Sequence, residues 1–140
     1  MRTLEEVRQF LARDAFAFDV CGITIDEVGD GTARASMPLR PMHLNANGVA
    51  QGGAIFTLVD ICFAAAANTG EVMTVAQNAD IHYLRPGTGG CLYAEAQRVY
   101  EGRTTAISKT RRRMFMMRNL QKVSRRNQRR QRKKLISERA

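Results

Sequence analysis

A long apolar segment near the middle of the chain limits the possible folds more than any other feature. From Gly52 to about Asn68 the sequence is GGAIFTLVDICFAAAAN, which is apolar nearly all round the helical circle, and Gly70 follows as a stop signal. Its longest uninterrupted apolar run, Ile61 to Ala67, is too short to span a bilayer. The segment therefore predicts a helix that is buried on every side inside a globular domain.

The residues before this helix predict a second helix, a hairpin and a loop. Thr3 and Glu6 form a capping-box pattern ahead of apolar residues at helical spacing, so the chain is expected to begin with an amphipathic helix. Between Cys21 and Met37, apolar and polar residues alternate around a Gly-Asp-Gly turn, as in a β-hairpin. Residues 38–51 contain two prolines and two asparagines and predict a loop.

Three strands are predicted after the helix. They cover Val72 to Leu84, Leu92 to Tyr100 and a segment that begins at Arg103, with turn residues between them. An antiparallel sheet curled round one central helix satisfies this order, because the helix must bury its whole circumference. The sequence therefore predicts an α+β fold in one domain, which 140 residues with 44% apolar content can fill.

Charge divides the chain into two unequal parts. The formal net charge of +9 suggests a nucleic-acid or membrane partner until it is split at Ser108. Residues 1–108 carry 8 Lys+Arg and 12 Asp+Glu, net −4, whereas residues 109–140 carry 14 and 1, net +13. We therefore expect a folded domain at 1–107 and a basic, arginine-rich tail at 108–140, disordered or helical, in which any nucleic-acid binding would reside.

The cysteines and the N-terminus indicate a cytoplasmic protein. Cys21, Cys62 and Cys91 are an odd number without metal-ligand spacing, which predicts reduced thiols. No basic segment leads into an apolar stretch at the N-terminus, so no secretory signal is expected. His43 and His82 also lack metal-like spacing. No metal, cofactor or membrane partner is predicted.

Asp60 is the most informative single residue. It is the one carboxylate within a helix that is otherwise predicted to be buried, and burying a carboxylate is costly. It is either satisfied by a neighbouring donor, as a structural residue, or it is a general base or nucleophile whose pKa is tuned by burial.

The start of the same helix has the composition of an oxyanion hole. Gln51-Gly52-Gly53 follows a loop that carries Asn45 and Gly48. The first turn of a helix leaves backbone N–H groups unpaired, and glycine lets a ligand approach them closely. Glycines also begin many ordinary helices, so the pattern by itself allows a structural role.

Helix geometry limits how these groups could cooperate. Eight residues separate Gly52 from Asp60, or about 12 Å along an α-helix. A nucleophile must come within roughly 3 to 3.5 Å of its carbonyl carbon, so one helix cannot supply both groups to one carbonyl. If the two residues act together, the site must be shared between two subunits related by a two-fold axis.

Several motifs resemble a known family. The run HLNANGVAQGGAIFTLVD, from His43 to Asp60, is similar to the signature of hotdog-fold acyl-CoA thioesterases of the PaaI-like (phenylacetyl-CoA) branch. IHYLRP, from Ile81, and YAEA and EGRT further on extend the resemblance to about residue 106. The resemblance implies a hotdog fold, an antiparallel sheet wrapped around a central helix, and hydrolysis of acyl-CoA in sites that lie between the subunits of a homo-oligomer.

The same resemblance assigns roles to residues. Gly52 would donate the oxyanion-hole N–H, Asp60 would be the base or nucleophile, and Asn45 would position the thioester or water. The expected substrate-binding residues are the neighbours of these groups together with one arginine that could meet a coenzyme A phosphate: Gln51, Gly53, Gly48 and Arg85. Gln51 stands where many relatives carry histidine, and an amide cannot exchange a proton near neutral pH. Ala76 stands where some relatives carry a hydroxyl.

The C-terminal tail departs from the family. Relatives continue after Thr105 with an outer strand pair, and this chain continues with an arginine-rich sequence instead. Codons for Met114 to Met117, read one base earlier, allow a product such as Asp-Val-Tyr-Asp-Glu, so the tail is a candidate frameshift of the family's own C-terminus. Two alternatives to an active thioesterase follow. They are a nucleic-acid-binding protein that uses its tail, and an inactive hotdog protein that binds acyl-CoA or acts as a scaffold.

Overall fold

The computed structural model describes residues 1–103 and 106–113, the last three through their backbone alone. Two helices and four strands form the fold: α1 (Leu4–Leu11), β1 (Thr24–Gly29), β2 (Thr32–Pro38), α2 (Gly52–Ala67), β3 (Cys91–Glu101) and β4 (Ala106–Arg113). Short helical turns lie at Phe16–Val20 and Pro41–His43. The strands make one antiparallel sheet in the order β1-β2-β3-β4, and α2 packs against it. The predicted α+β architecture is confirmed.

Helix α1 begins as the capping box predicts. The Glu6 backbone N–H donates to Thr3 Oγ1 at 3.3 Å, and the Thr3 N–H donates to Glu6 Oε2 at 2.7 Å. Just before it, the Arg2 guanidinium donates to the carbonyl oxygens of Asn68 and Gly70, at 2.8 and 2.6 Å. This side chain therefore ties the start of the chain to the end of α2.

The predicted hairpin of β1 and β2 is present, and the middle of the sheet, where β2 pairs with β3, has small inward side chains. Residues of β2 and β3 that face α2 alternate with outward ones, and most of them are alanines. Ala35 lies opposite Ala94 and Ala33 lies opposite Ala96, and all four side chains are buried. Because a methyl group takes little room, the helix can pack close to the middle of the sheet.

Helix α2 has one fully buried side. The side chains that face the sheet are buried: Ile55, Leu58, Ile61, Cys62, Ala65 and Ala66. On the opposite side, Phe56, Asp60 and Phe63 are half-buried. The expectation of burial all round the helix is wrong for the part of the chain described, since the sheet covers a single face.

The expected strand from Val72 to Leu84 is also wrong. The described residues between α2 and β3 form no strand, and Val72, Val75 and Leu84 are largely exposed. A strand is stable only when a neighbour accepts and donates its backbone hydrogen bonds. Strand β4 ends the sheet, and among the described residues no further strand joins its free edge to this segment.

The last strand crosses the domain boundary expected at residue 107. β4 pairs with β3 from Glu101↔Ala106 to Tyr93↔Arg113, with one irregularity near Arg98. Residues 114–140, and with them most of the predicted basic tail, lie outside the described residues. Within the described part, no helix is long and apolar enough to cross a membrane.

Candidate active site

The loop before α2 is held in shape by its own hydrogen bonds. The Gln51 N–H donates to the His43 carbonyl oxygen at 2.8 Å, and Leu44 and Ala50 form an antiparallel bridge inside that closure. Gly48 has φ +72°, a left-handed conformation that suits glycine at the tip. The loop therefore delivers the chain to the start of α2 in a defined geometry.

Asn45 organises this loop with one end of its side chain. Its Oδ1 accepts from the backbone N–H groups of Asn47 at 2.9 Å and Val49 at 3.3 Å. Its Nδ2 group makes no hydrogen bond to any described residue, so two N–H donors remain for a ligand. Asn45 is half-buried, which limits how far this donor can move.

Gln51 caps the helix. Its Oε1 accepts from the Ala54 N–H at 3.0 Å, in the place where serine or aspartate often stands. A Cβ on Gly53 would lie 2.8 Å from this oxygen, so glycine at that position makes room for the cap. Gln51 is one of the expected substrate-binding residues. Because its Oε1 is used by the cap, its side-chain NH2 group is the part that could bind a ligand.

Two backbone donors remain open at the start of α2. The first hydrogen bond of the helical type runs from the Ile55 N–H to the Gln51 carbonyl oxygen, at 3.1 Å. The N–H groups of Gly52 and Gly53 precede it and have no acceptor among residues 1–103 and 106–113. These N–H groups lie at the positive end of the helix dipole. Together they can stabilise a carbonyl oxygen that gains negative charge.

Asp60 lies two turns further along the helix. Seven residues after Gly53, it points to the same side of α2, the side that the sheet leaves uncovered. No described residue donates a hydrogen bond to its carboxylate. Burial raises the pKa of Asp60, and the negative charge of Asp14 raises it further. A half-buried carboxylate without a partner and with a raised pKa is suited to accept a proton.

The neighbouring thiol is not a comparable candidate. Cys62 is fully buried against the sheet, with its Sγ 3.5 Å from the Ala33 carbonyl oxygen. Burial raises the pKa of Cys62 to about 12, so the thiol stays protonated at neutral pH. Of these two side chains, Asp60 is the one suited to act as a base or nucleophile near neutral pH.

Two residues at the site were not expected from the sequence. Tyr83, from the segment mispredicted as a strand, donates its hydroxyl to the Gly52 carbonyl oxygen at 2.9 Å. Asp14, from the turn after α1, acts on Asp60 by its charge. His43, at the start of the loop before α2, is buried, and its Nδ1 accepts from the Arg40 N–H at 3.1 Å. No local sequence pattern marks the first two, since each depends on how distant segments meet.

The other expected site residues stand at the rim. Gly48 and Arg85 are exposed, and the loop that holds Arg85 is fixed to the site by an Ala50 N–H to Gly87 carbonyl bond of 2.7 Å. In the described part of the chain, no three His, Cys, Asp or Glu side chains lie close enough to share a metal ion. Gly52 and Asp60 belong to one uninterrupted helix, so a single chain keeps them apart by about 12 Å.

Comparison with known proteins identifies the family of the chain. A sequence model of the thioesterase superfamily matches residues 47–111. A protein of Archaeoglobus fulgidus that is described as an esterase is 34% identical to this chain over 104 residues. The match covers 74% of this chain and 68% of that protein. The acyl-coenzyme A thioesterase PaaI of Escherichia coli is 36% identical over 87 residues, 61% of this chain and 62% of its own length.

A solved structure extends the likeness to three dimensions. A variant of the phenylacetic acid degradation protein PaaI from Thermus thermophilus superposes with a TM-score of 0.65 at 30% identity, covering 69% of this chain and 84% of that protein. The chain therefore belongs to the thioesterase superfamily, and its fold is the hotdog fold. Within the superfamily it is PaaI-like.

Proposed function

We propose that the protein hydrolyses an acyl-CoA, with an aryl or medium-chain acyl group, to a free acid and coenzyme A. The observation that carries this proposal is that one side of one helix presents both kinds of group that the reaction needs. These are two open N–H groups, on Gly52 and Gly53, and the unpartnered carboxylate of Asp60. The name of the E. coli relative, an acyl-coenzyme A thioesterase, supports CoA thioesters as the substrate class.

Each residue has a role in this reaction. The Gly52 N–H binds the thioester carbonyl oxygen, and the neighbouring Gly53 N–H is a second donor to the same oxygen. The Nδ2 group of Asn45 positions the thioester or the water. Asp60 either takes a proton from water, whose oxygen then attacks the carbonyl carbon, or attacks that carbon itself. The second route forms a mixed anhydride of Asp60 and the acyl group, which water then hydrolyses to the free acid and the Asp60 carboxylate. In both cases the C–S bond breaks, coenzyme A leaves as a thiol after gaining a proton, and water supplies the new acid oxygen.

Two subunits contribute residues to each proposed site. The uncovered side of α2 carries Phe56 and Phe63 on either side of Asp60, all half-buried. Packing this apolar side against the same helix of a second subunit, antiparallel, brings Asp60 near Gly52 of the partner subunit and overcomes the separation of about 12 Å. The apolar area supports a homodimer, and a dimer of dimers is compatible with it.

The first experiment measures release of the coenzyme A thiol from a panel of aryl- and fatty-acyl-CoA substrates. Gly52→Pro removes the proposed oxyanion donor at a position where helices tolerate proline, and Gln51, with φ −66° and ψ 138°, already has the conformation that a following proline requires. We expect turnover to fall by about a hundredfold or more.

Gly52→Ala is the matched control for this variant. It keeps the N–H, and its Cβ would lie 3.4 Å from the Tyr83 ring, an ordinary contact. Alanine should therefore lose far less activity than proline. Equal losses in the two variants, or full activity of Gly52→Pro, would remove Gly52 from the reaction. A metal chelator should leave turnover unchanged.

Subunit mixing tests the shared site. In a heterodimer of Asp60→Asn and Gly52→Pro, one of the two sites keeps both wild-type groups. Random exchange at equal amounts should therefore restore about a quarter of wild-type activity. No recovery after subunit exchange has been demonstrated by mass spectrometry would contradict a shared site.

The charge of residues 109–140 favours nucleic-acid binding as a second candidate function. That segment has a net charge of +13. Phosphate binding by such a segment should weaken steeply with salt and should disappear in a chain that ends at Arg113, which retains β4. An inactive acyl-CoA-binding or scaffold protein would instead bind acyl-CoA without releasing thiol. The cytoplasmic location stays a prediction.

A further inference from the structure

Tyr83 contacts the proposed site in two ways. Its hydroxyl donates to the Gly52 carbonyl oxygen at 2.9 Å. Its ring covers the open side of Gly52, where an added Cβ would lie 3.4 Å from Cζ and from the hydroxyl oxygen. Tyr83 belongs to the segment of residues 75–84, which lies outside the sheet, and this hydrogen bond joins that segment to the start of α2.

We infer that Tyr83 is a positioning residue that holds the Gly53 N–H in the direction of the substrate oxygen. The Gly52 carbonyl and the Gly53 N–H belong to the same peptide group, which is planar and rigid. A hydrogen bond that fixes the carbonyl at one end of that group therefore fixes the direction of the N–H at its other end.

The local sequence explains why an external restraint is needed. Two consecutive glycines have wide backbone freedom, and the first turn of a helix tends to fray. The Gln51 cap holds the Ala54 N–H, which leaves the Gly52–Gly53 peptide without a cap of its own. Tyr83 adds a side-chain hydrogen bond to this peptide from a distant segment.

The hydrogen bond also changes the strength of the donor. A carbonyl oxygen has two acceptor sites, so Gly52 can accept from Tyr83 as well as from the following turn of the helix. Accepting a second bond polarises the peptide group and makes its N–H a better donor. Tyr83 thus provides both orientation and polarisation, while its oxygen stays away from the reacting atoms.

Tyr83→Phe is the direct test, and the inference rests on the proposed thioesterase site. Phenylalanine keeps the ring over Gly52 and removes the hydroxyl. We expect kcat to fall about three- to tenfold with KM within about twofold, because the bond acts through a donor that binds the transition state more strongly than the substrate. Tyr100→Phe, at a tyrosine of similar exposure (56% against 53%), is the control and should change neither constant. Unchanged kcat in Tyr83→Phe, or a rise in KM alone, would overturn the inference.

A second measurement does not depend on activity. In ¹H–¹⁵N spectra, Tyr83→Phe should shift or broaden the amide signal of Gly53 far more than Tyr100→Phe does, while the melting temperatures of both variants stay near that of the wild type. A Gly53 signal that is the same in both variants would refute the positioning role. If the wild-type protein hydrolyses no acyl-CoA, the proposed function fails, and the amide signal still decides this inference.

Discussion

The two segments that flank α2 differ in the interactions that would hold their backbones in place. Residues 43–51, before the helix, are closed by backbone bonds such as Gln51 to His43 and by the Asn45 side chain. Residues 72–84, after it, carry alternating apolar side chains but form no strand and leave Val75 73% exposed. The first segment depends on its own neighbours in sequence, whereas the second requires a neighbouring strand.

This difference has a consequence for the site. The donors proposed for the substrate oxygen come from the locally ordered side, at Asn45, Gly52 and Gly53. The segment after the helix contributes one hydroxyl, that of Tyr83. The groups that need the most exact placement therefore lie where placement depends least on distant strands.

The harshest test removes the carboxylate of Asp60, the proposed base or nucleophile on the helix between the two segments. Asp60→Asn keeps the size of the side chain and removes its charge. Turnover should fall by at least about a hundredfold, the usual scale for the loss of a general base. The wild-type rate should also fall as pH drops through the pKa of Asp60, which burial places above its ordinary value. Wild-type turnover in a folded Asp60→Asn protein would exclude Asp60 from the chemistry.

Asn45 separates the ordering of the first segment from its chemistry. Asn45→Asp keeps an oxygen for the Asn47 and Val49 N–H groups and loses the Nδ2 donor, so turnover should fall about tenfold or more with little change in melting temperature. Asn45→Ala loses both functions, and its free energy of unfolding should drop by about 1 to 3 kcal/mol. If Asn45→Asp is as unstable as Asn45→Ala, the two functions are not separable.

A smaller effect is expected on stability at Asp60. Its pKa is raised in the folded state, so the folded protein holds the proton more tightly than the unfolded one. The stability from that proton is present below the unfolded-state pKa and is lost as pH rises through the folded-state pKa. Asp60→Asn should therefore melt at a higher temperature than wild type at pH 7, and the gain should vanish below about pH 4. A lower melting temperature at pH 7 would mean that an unseen donor satisfies the carboxylate.

The smallest effect is expected in the segment after the helix. Val75→Thr replaces an exposed methyl group with a hydroxyl and should change the free energy of unfolding by less than about 0.5 kcal/mol. The matched substitution Val7→Thr, at a fully buried position of α1, should cost about 1 to 3 kcal/mol. Similar costs at the two positions would show that a partner covers Val75 and would remove the contrast between the two segments.

Sequence alone predicted the elements whose causes are local. The Thr3 capping box, the hairpin before Met37 and the range of α2 follow from caps, turns and periodicity, and the structure confirms them. The strand at 72–84 was mispredicted because alternation shows that a segment is able to pair but does not show that a partner exists. The contact of Tyr83 with Gly52 and the action of Asp14 on Asp60 were missed for a related reason. Both arise from the path of the chain in space.

The Arg2 side chain makes the first helix dependent on residues far along the chain. An eight-residue helix with one buried side chain is marginal alone, and the Arg2 guanidinium bonds join it to Asn68, Gly70 and Glu71. During synthesis these acceptors appear 66 to 69 residues later. At about 5 to 20 residues per second, the N-terminus waits some seconds before its anchor exists. The beginning of this protein therefore stays without its anchor until the chain has been made as far as Glu71, half-way along its length.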